Sequence, residues 1–252
     1  MIDEIRIIPI RGIGEVRPGD DLADMILSAV AAGGKTIEPG DVLVVTQKVV
    51  SKAEGRLVDP AAVEPSAFAR QIAASARKDA HFQEVVLRES RRIVKMTGGV
   101  LITETHHGLI CANSGVDESN VAGGRVVCLL PTDPDRSAAQ LRAAIAERAG
   151  VAPAVIISDT FGRPWRDGQV NVAIGVAGML PLSDFAGVDD PYGYTMHATL
   201  IAVADEIASA AELAMGKIDA VPVAIVRGFA FTPSDTASAR QLLRDPRLDL
   251  FR

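Results

Sequence analysis

The sequence predicts a mixed α/β (α+β) fold, with helices packed on mixed sheets, and three observations lead there. Short β-branched runs alternate with amphipathic helical patterns along the chain. Two of the strand runs, 100–103 and 109–112, follow one another across a turn, so the sheets are not purely parallel. No repeat, low-complexity tract or long polar linker divides the 252 residues. The expectation is one body spanning 1–252, in which any two subdomains are interleaved or closely apposed.

The elements follow in order. Residues 5–10 suit a first strand, and Asp21 opens a helical pattern over 21–31. The apolar run 42–45 reads as a buried strand. Helical spacing returns over 66–77 and 81–94. Strands 100–103 and 109–112 are expected to form a hairpin through His106-His107-Gly108, with another strand at 126–130. Ser137, with Gln140 three residues on, forms a capping-box pattern for a helix over 137–149. A strand at 155–157, a long helix over 195–215 stopped by Gly216, and a strand at 223–226 complete the order.

With 48% hydrophobic residues the chain has ample material for a core. Its 26 Lys and Arg against 32 Asp and Glu give a net charge of -6, which disfavours general binding to nucleic acid or anionic lipid but permits a local phosphate site. The longest apolar stretch, 172–182, holds two Gly and a Pro and falls short of the ~20 residues of a membrane span. The acidic start Met1-Ile2-Asp3-Glu4 is unlike a signal peptide, and Cys111 and Cys128 lack CxxC spacing. Buried thiols, a reducing cytoplasmic setting and no structural zinc are expected.

Two apparent motifs are decoys. Gly33-Gly34-Lys35-Thr36 ends like a phosphate-binding loop, but Ala29 stands where that pattern needs glycine, and the segment follows a helix; a helix-terminating loop fits better. Gly12-Ile13-Gly14 begins like a dinucleotide fingerprint, yet Arg17 occupies the third glycine position. The missing side chains of Gly12 and Gly14 still permit close approach of a ligand.

Four polar clusters lie where strands end, the usual place for sites in open α/β sheets. Residues 46–56 supply Lys48, Lys52 and Arg56, cations suited to polyphosphate or to a solvated face. In 113–120, Asp117 is a hard-oxygen ligand candidate for Mg or Mn within a loop able to satisfy its own backbone. Residues 158–166 pair Asp159 and Thr160 with Arg163 and Arg166, oxygen ligands and cations of the kind that phosphoryl transfer needs. Residues 132–136 read mainly as a turn into a helix cap. Trp165 could cover a ligand or serve as a buried anchor, and no histidine has metal spacing.

Taken in order, 49–56, Gly115-Val116-Asp117-Glu118-Ser119-Asn120, 130–135 and Ser158-Asp159-Thr160-Phe161-Gly162-Arg163 resemble the coenzyme F420-0:L-glutamate ligase family. The resemblance continues through Asp190-Pro191-Tyr192-Gly193, Val203-Ala204-Asp205-Glu206 and Val226-Arg227-Gly228-Phe229. It is strongest toward the ligase portion of actinobacterial members, which continue into a nitroreductase-like domain absent from this sequence. The resemblance implies the F420 glutamyl ligase fold of two closely apposed subdomains, a homodimer, and a divalent metal (Mg or Mn) together with a monovalent cation (K). Its implied substrates are GTP, L-glutamate and F420-0 or its dehydro form.

By the same resemblance, Asp117, Asp159 and Thr160 are metal ligands, and Ile13, Gly14, Glu15, Val16, Gln47, Lys52 and Asn120 contact the nucleotide. Gln47 stands where relatives carry Ser. Joining a carboxylate to an amine requires activation, so an acyl phosphate is expected, with catalytic roles for Asp159, Lys52, Arg163 and Arg166. By the resemblance L-glutamate is joined to the lactyl carboxylate of F420-0, and further gamma-linked glutamates are compatible with the same chemistry. The rival expectation is a non-catalytic nucleotide- or deazaflavin-binding protein.

Overall fold

The computed structural model describes residues 4–76, 79–97, 99–118 and 125–249. In order, the elements are β1 (Arg6–Ile10), α1 (Leu22–Ala32), β2 (Val42–Thr46), α2 (Gln47–Ala53), β3 (Leu57–Val58), α3 (Ala67–Ala76), α4 (Ala80–Arg88), β4 (Ser90–Thr97), β5 (Val100–Thr105) and β6 (Ile110–Ala112). They continue with β7 (Val127–Cys128), α5 (Pro134–Ala149), β8 (Ala154–Arg163), β9 (Arg166–Met179), β10 (Ser183–Asp184), β11 (Leu200–Ile201), α6 (Val203–Met215), β12 (Val223–Arg227) and β13 (Pro233–Ser234).

The principal sheet has six strands in the order β1-β12-β2-β8-β9-β13. Only β2 and β8 run parallel; their neighbours are antiparallel, so the expected mixed sheet is present. Both faces of its centre are covered, which is why 42–45 is apolar without alternation. Leu43, Val45, Val155 and Ile157 pack with Ile26 and Val30 of α1 and Leu141 and Ile145 of α5. Val42, Val44 and Ile156 face Ile207, Ala211 and Met215 of α6. Each fully buried Ile or Leu here would cost about 2–5 kcal/mol if cut to Ala. A third core joins Ile72 of α3 and Phe82 and Val86 of α4 to Leu101, Val116, Val127 and Leu129.

One irregularity shapes the site. Ile157 pairs with Gly175 but Ser158 pairs with Ala173, so Ile174 is a bulge in β9. The flanking amides have acidic partners instead of ladder partners: Ala173 N donates to Asp205 Oδ1 at 2.8 Å and Val176 N to Asp135 Oδ1 at 2.9 Å. A side chain at Gly175 would stand 2.4 Å from the Pro134 carbonyl, so glycine lets the start of α5 lie directly on the bulge.

Several expectations hold. The hairpin through His106-His107-Gly108 joins β5 to β6. Gly33 and Gly34 end α1, their amides donating to Ala29 O and Ala31 O. Both thiols are free and buried. Among the described residues, no helix is long and apolar enough to cross a membrane.

Others are corrected. The helix expected over 81–94 stops at Arg88, and 90–97 becomes β4 because pairing with β5 overrides its helical spacing. The helix expected over 195–215 begins at Val203; β11, before it, pairs with β10. Asp133, not Ser137, caps α5, accepting from Arg136 N at 3.1 Å, and Ser137 Oγ bonds back to Asp133 O. The polar run after β2, for which the sequence suggests no element, is the helix α2, and most of the stretch 172–182 belongs to the 14-residue strand β9.

Candidate functional site

The carboxyl ends of the parallel pair β2 and β8 deliver polar residues side by side, with Thr46 in register with Ser158. Such strand ends leave a crevice open to ligands. Here it is a cleft of about 1040 Å³, walled by loop 13–16, α2, segment 111–118, β8, β9 and turn 216–222.

Lys48 and Lys52 lie one turn apart on α2 and so share a face. Lys48 Nζ pairs with Asp117 Oδ2 at 2.8 Å, and Lys52 Nζ pairs with Glu15 Oε1 at 2.6 Å. Two acids from different walls thus hold two ammonium groups at the cleft. Gly115 helps seat the Asp117 wall: its φ is +69°, and any side chain there would meet Leu130.

Across the cleft, Lys217 Nζ donates to Thr160 Oγ1 at 3.0 Å. Thr160 Oγ1 donates to Asn171 Oδ1 at 2.8 Å, and Asn171 Nδ2 donates to Glu212 Oε2 at 2.7 Å. On the floor, Gln47 Nε2 and Ser158 Oγ are buried and have no hydrogen-bond partner among the described residues. Gln47 Oε1 is satisfied by Ser51 Oγ at 2.9 Å. Buried polar atoms left this way mark a floor able to bind further polar groups.

Asp159 is half-buried and lines the cleft. Burial pushes its carboxyl up to about 7, the nearby Asp117 charge adds to the rise, and the Thr160 amide, Lys48 and Lys217 oppose it. A carboxyl poised near neutrality readily releases its proton to solvent when a metal ion or another cation binds it.

The donor set fits a hard divalent ion. Asp117, Asp159 and Thr160 offer two carboxylates and a hydroxyl at the same cleft. Among the described residues, no group of three or more His, Cys, Asp or Glu could cage a metal. Mg²⁺ commonly needs only one or two carboxylates, completing its shell with water and substrate phosphate oxygens. Cys111 also lines the cleft, but burial pushes its thiol up to about 12, leaving no thiolate to offer.

Of the residues expected from sequence, Ile13, Gly14, Glu15, Val16, Gln47, Lys52, Asp117, Asp159 and Thr160 all line this one cleft. Asn120 lies outside the described residues. Arg163 and Arg166 do not join the lining. They face each other across the closing turn of the β8–β9 hairpin, where Arg163 Nη2 donates to Asp167 O at 2.6 Å. On β8 the lining ends at Gly162, one residue short of Arg163, whose guanidinium is turned to the closing turn by its bond to Asp167; along the strand, Arg163 lies about 10 Å beyond Thr160.

Trp165, at that turn, is 78% exposed and is no buried anchor. Arg56 is structural, donating to Leu130 O and pairing with Glu89. Lys217, Asn171 and Glu212 were not singled out in the sequence. The available signal was Asn171, a polar residue at the head of the apolar 172–182 run, and Lys217, immediately after the Gly216 stop.

Comparison with known proteins adds an independent line. The profile of the F420-0:Gamma-glutamyl ligase family matches residues 11–228. The Coenzyme F420:L-glutamate ligase of Methanothermobacter thermautotrophicus is 43% identical over 251 residues, covering 98% of this chain and 99% of that protein. The protein of the same name from Methanopyrus kandleri is 45% identical over 254 residues, 98% of each. That of Methanocaldococcus jannaschii is 43% identical over 217 residues, 86% of each.

Proposed function

The chain belongs to the F420-0:gamma-glutamyl ligase family, and from that premise we propose that it is a GTP-dependent coenzyme F420-0:L-glutamate ligase working through an acyl phosphate. The observation that carries this reading is the meeting of Lys48, Lys52 and Lys217 with Asp117, Asp159 and Thr160 at one cleft. Its volume of about 1040 Å³ is at the upper end for a site holding one small molecule, as suits a nucleotide beside a second large substrate.

A carboxylate is a poor electrophile because its charge repels nucleophiles. In the proposed chemistry the lactyl carboxylate oxygen attacks the γ-phosphorus of GTP, and the bond to the β-bridging oxygen breaks, releasing GDP. The glutamate amine then attacks the acyl carbon, loses a proton and displaces phosphate, leaving an amide. Lys48 and Lys52 sit where they can neutralise phosphate charge, exchanging part of their pairing with Asp117 and Glu15 for the nucleotide. Loop 13–16 and Gln47 would face the nucleotide. A divalent ion, Mg or Mn, held by Asp117, Asp159 and Thr160 would supply charge neutralisation on the transferring group. Asp159 would give up its proton as that site fills. A monovalent cation (K), a homodimer and a cytoplasmic setting belong to the same proposal.

The test is purified protein with GTP, Mg²⁺ or Mn²⁺, glutamate and F420-0 or its dehydro form. Release of GDP and phosphate that requires both acceptors and stops with EDTA is expected. Release independent of both acceptors, or GTP binding with no turnover, would overturn the ligase in favour of a simple nucleotide hydrolase or a binding protein. Light scattering at micromolar concentration checks the dimer, which a monomer mass would reject.

A further inference from the structure

Among the oxygens of the candidate metal site, the Thr160 hydroxyl is the one whose useful direction must be imposed from outside. A carboxylate presents lone pairs from both oxygens, whereas a hydroxyl has one proton and two lone pairs. A cation meets it well only when the proton points elsewhere.

Three neighbours decide where it points. Asn171 is the cross-strand partner of Thr160, and its Oδ1 takes the hydroxyl proton at 2.8 Å. The amide is itself held: its Nδ2 donates to Glu212 Oε2 from α6 at 2.7 Å, and the Asn171 carbonyl accepts from Ser209 Oγ at 2.7 Å. Because a carboxylate accepts hydrogen bonds, Glu212 fixes the amide with nitrogen toward α6 and oxygen toward Thr160. The reverse orientation would place an N–H on a Thr160 lone pair and free the hydroxyl proton to turn into the cleft. Lys217 Nζ already donates to Thr160 Oγ1 at 3.0 Å, a positive group resting against the oxygen.

We infer that Asn171, locked by Glu212, is a positioning residue that holds a Thr160 lone pair open to a hard cation in the cleft; this rests on the metal-site reading above. Asn171 is 2% exposed, where an apolar side chain would avoid the desolvation of an amide. Both ends of its amide are engaged, one by Glu212 behind the cleft and the other by Thr160 at it, so the chain Glu212–Asn171–Thr160 ends at the cleft.

The experiment is titration with Mn²⁺ in the presence of GDP and without acceptors, reading the free ion by electron paramagnetic resonance, beside the melting temperature of each metal-free protein. Thr160→Val and Asn171→Ala should each weaken Mn²⁺ binding about tenfold, the scale for residues that orient a metal ligand. Thr160→Ser should bind normally. The double variant should bind no more weakly than Thr160→Val, because Asn171 acts through that hydroxyl alone. Glu212→Gln, nearly the same shape, should weaken binding by about threefold and, combined with Thr160→Val, add nothing. If Asn171→Ala does not fold, that second cycle carries the test. Normal Mn²⁺ affinity in both Asn171→Ala and Glu212→Gln beside a weakened Thr160→Val, or losses that multiply in the double variants, overturns the positioning role and leaves the metal site standing. Normal affinity in both Thr160→Val and Asp159→Asn removes the metal site and this inference with it.

Discussion

The middle of the β8–β9 hairpin and its tip both carry charged residues, acidic in one and basic in the other, and have opposite surroundings. Toward its base, at the middle of β8, Asp159 and Thr160 lie beside a bulge whose amides are bound by Asp135 and Asp205, and four other segments close around them. At its tip, Arg163, Trp165 and Arg166 close a turn away from the cleft. A carboxyl at the base is displaced to about 7 by burial, an effect that requires surrounding protein. Nearness along the chain therefore did not make one constellation of residues 158–166.

The sharpest way to break this contrast is to remove charge at the base while keeping shape. Asp159→Asn and Asp117→Asn should each lower glutamate-dependent GDP formation by roughly 100-fold or more, about 3 kcal/mol of transition-state stabilisation. The metal-free melting temperature should not fall in either variant, and in Asp159→Asn it should rise above pH 7, where the buried carboxylate costs stability. Near-normal turnover in either variant removes that residue from the metal site.

What could be seen beforehand follows the same division. Asp159, Thr160 and Asp117 were legible because each follows a short apolar run, the pattern of a strand end in an open sheet, although β8 itself continues through Asp159 and Thr160 to Arg163. Lys48 and Lys52 were visible only as charges, since 46–56 did not read as a helix and their common face was hidden. Asn171 and Glu212 lie 41 residues apart and meet only because α6 packs on β9. The fold was legible where burial on both faces leaves continuous apolar runs, as at 42–45, and illegible at 90–97, where pairing with β5 decides against helical spacing.

The pH response of the metal-free protein sharpens the contrast next. The unfolded Asp159 carboxyl titrates near 3.9 and the folded one near 7, so between these values the folded state binds more protons and stability falls as pH rises. Its contribution is fully present below about pH 4 and lost through pH 7, about 2 kcal/mol after allowance for solvent reaching it by the cleft. Asp21 and Glu84, held down to about 2 by hydrogen bonds and nearby arginines, act in the opposite sense and only below about pH 4.5. Denaturant melts from pH 4.5 to 8 should therefore show a downward slope in the wild type that is shallower in Asp159→Asn, the remainder coming from Asp205, which burial also raises; equal slopes would mean the Asp159 carboxyl is not desolvated.

Lys52→Met asks whether the cleft's cations come from α2 rather than from the hairpin tip. Lys52 is 8% exposed and its stem can be mimicked by methionine, so folding should survive. Loss of a charged hydrogen bond to phosphate should weaken GTP binding by about 1.5 kcal/mol, slightly over tenfold. Calorimetric titration with Mg²⁺ present measures it, and unchanged affinity would take Lys52 out of the nucleotide site.

The smallest effect is expected at the tip. Arg166 is exposed, Arg163 is half-buried with its guanidinium held by its own hairpin, and neither lines the cleft. The Arg166 guanidinium, open to water beyond the strand end, acts through a high dielectric, and salt screens it further. Arg166→Ala should leave turnover within about twofold and stability within about 0.5 kcal/mol, as for surface substitutions generally. Arg163→Ala should differ only by the turn contact with Asp167, about 1 kcal/mol of stability, without a matching change in the Michaelis constant for GTP. Should Arg166→Ala instead cost tenfold or more in turnover while melting normally, the tip must meet substrate outside its own cleft. Mixing that variant with Asp159→Asn protein would then be decisive: recovery of activity in the mixture places the arginine in the cleft of a second copy, and continued loss confines its effect to its own chain.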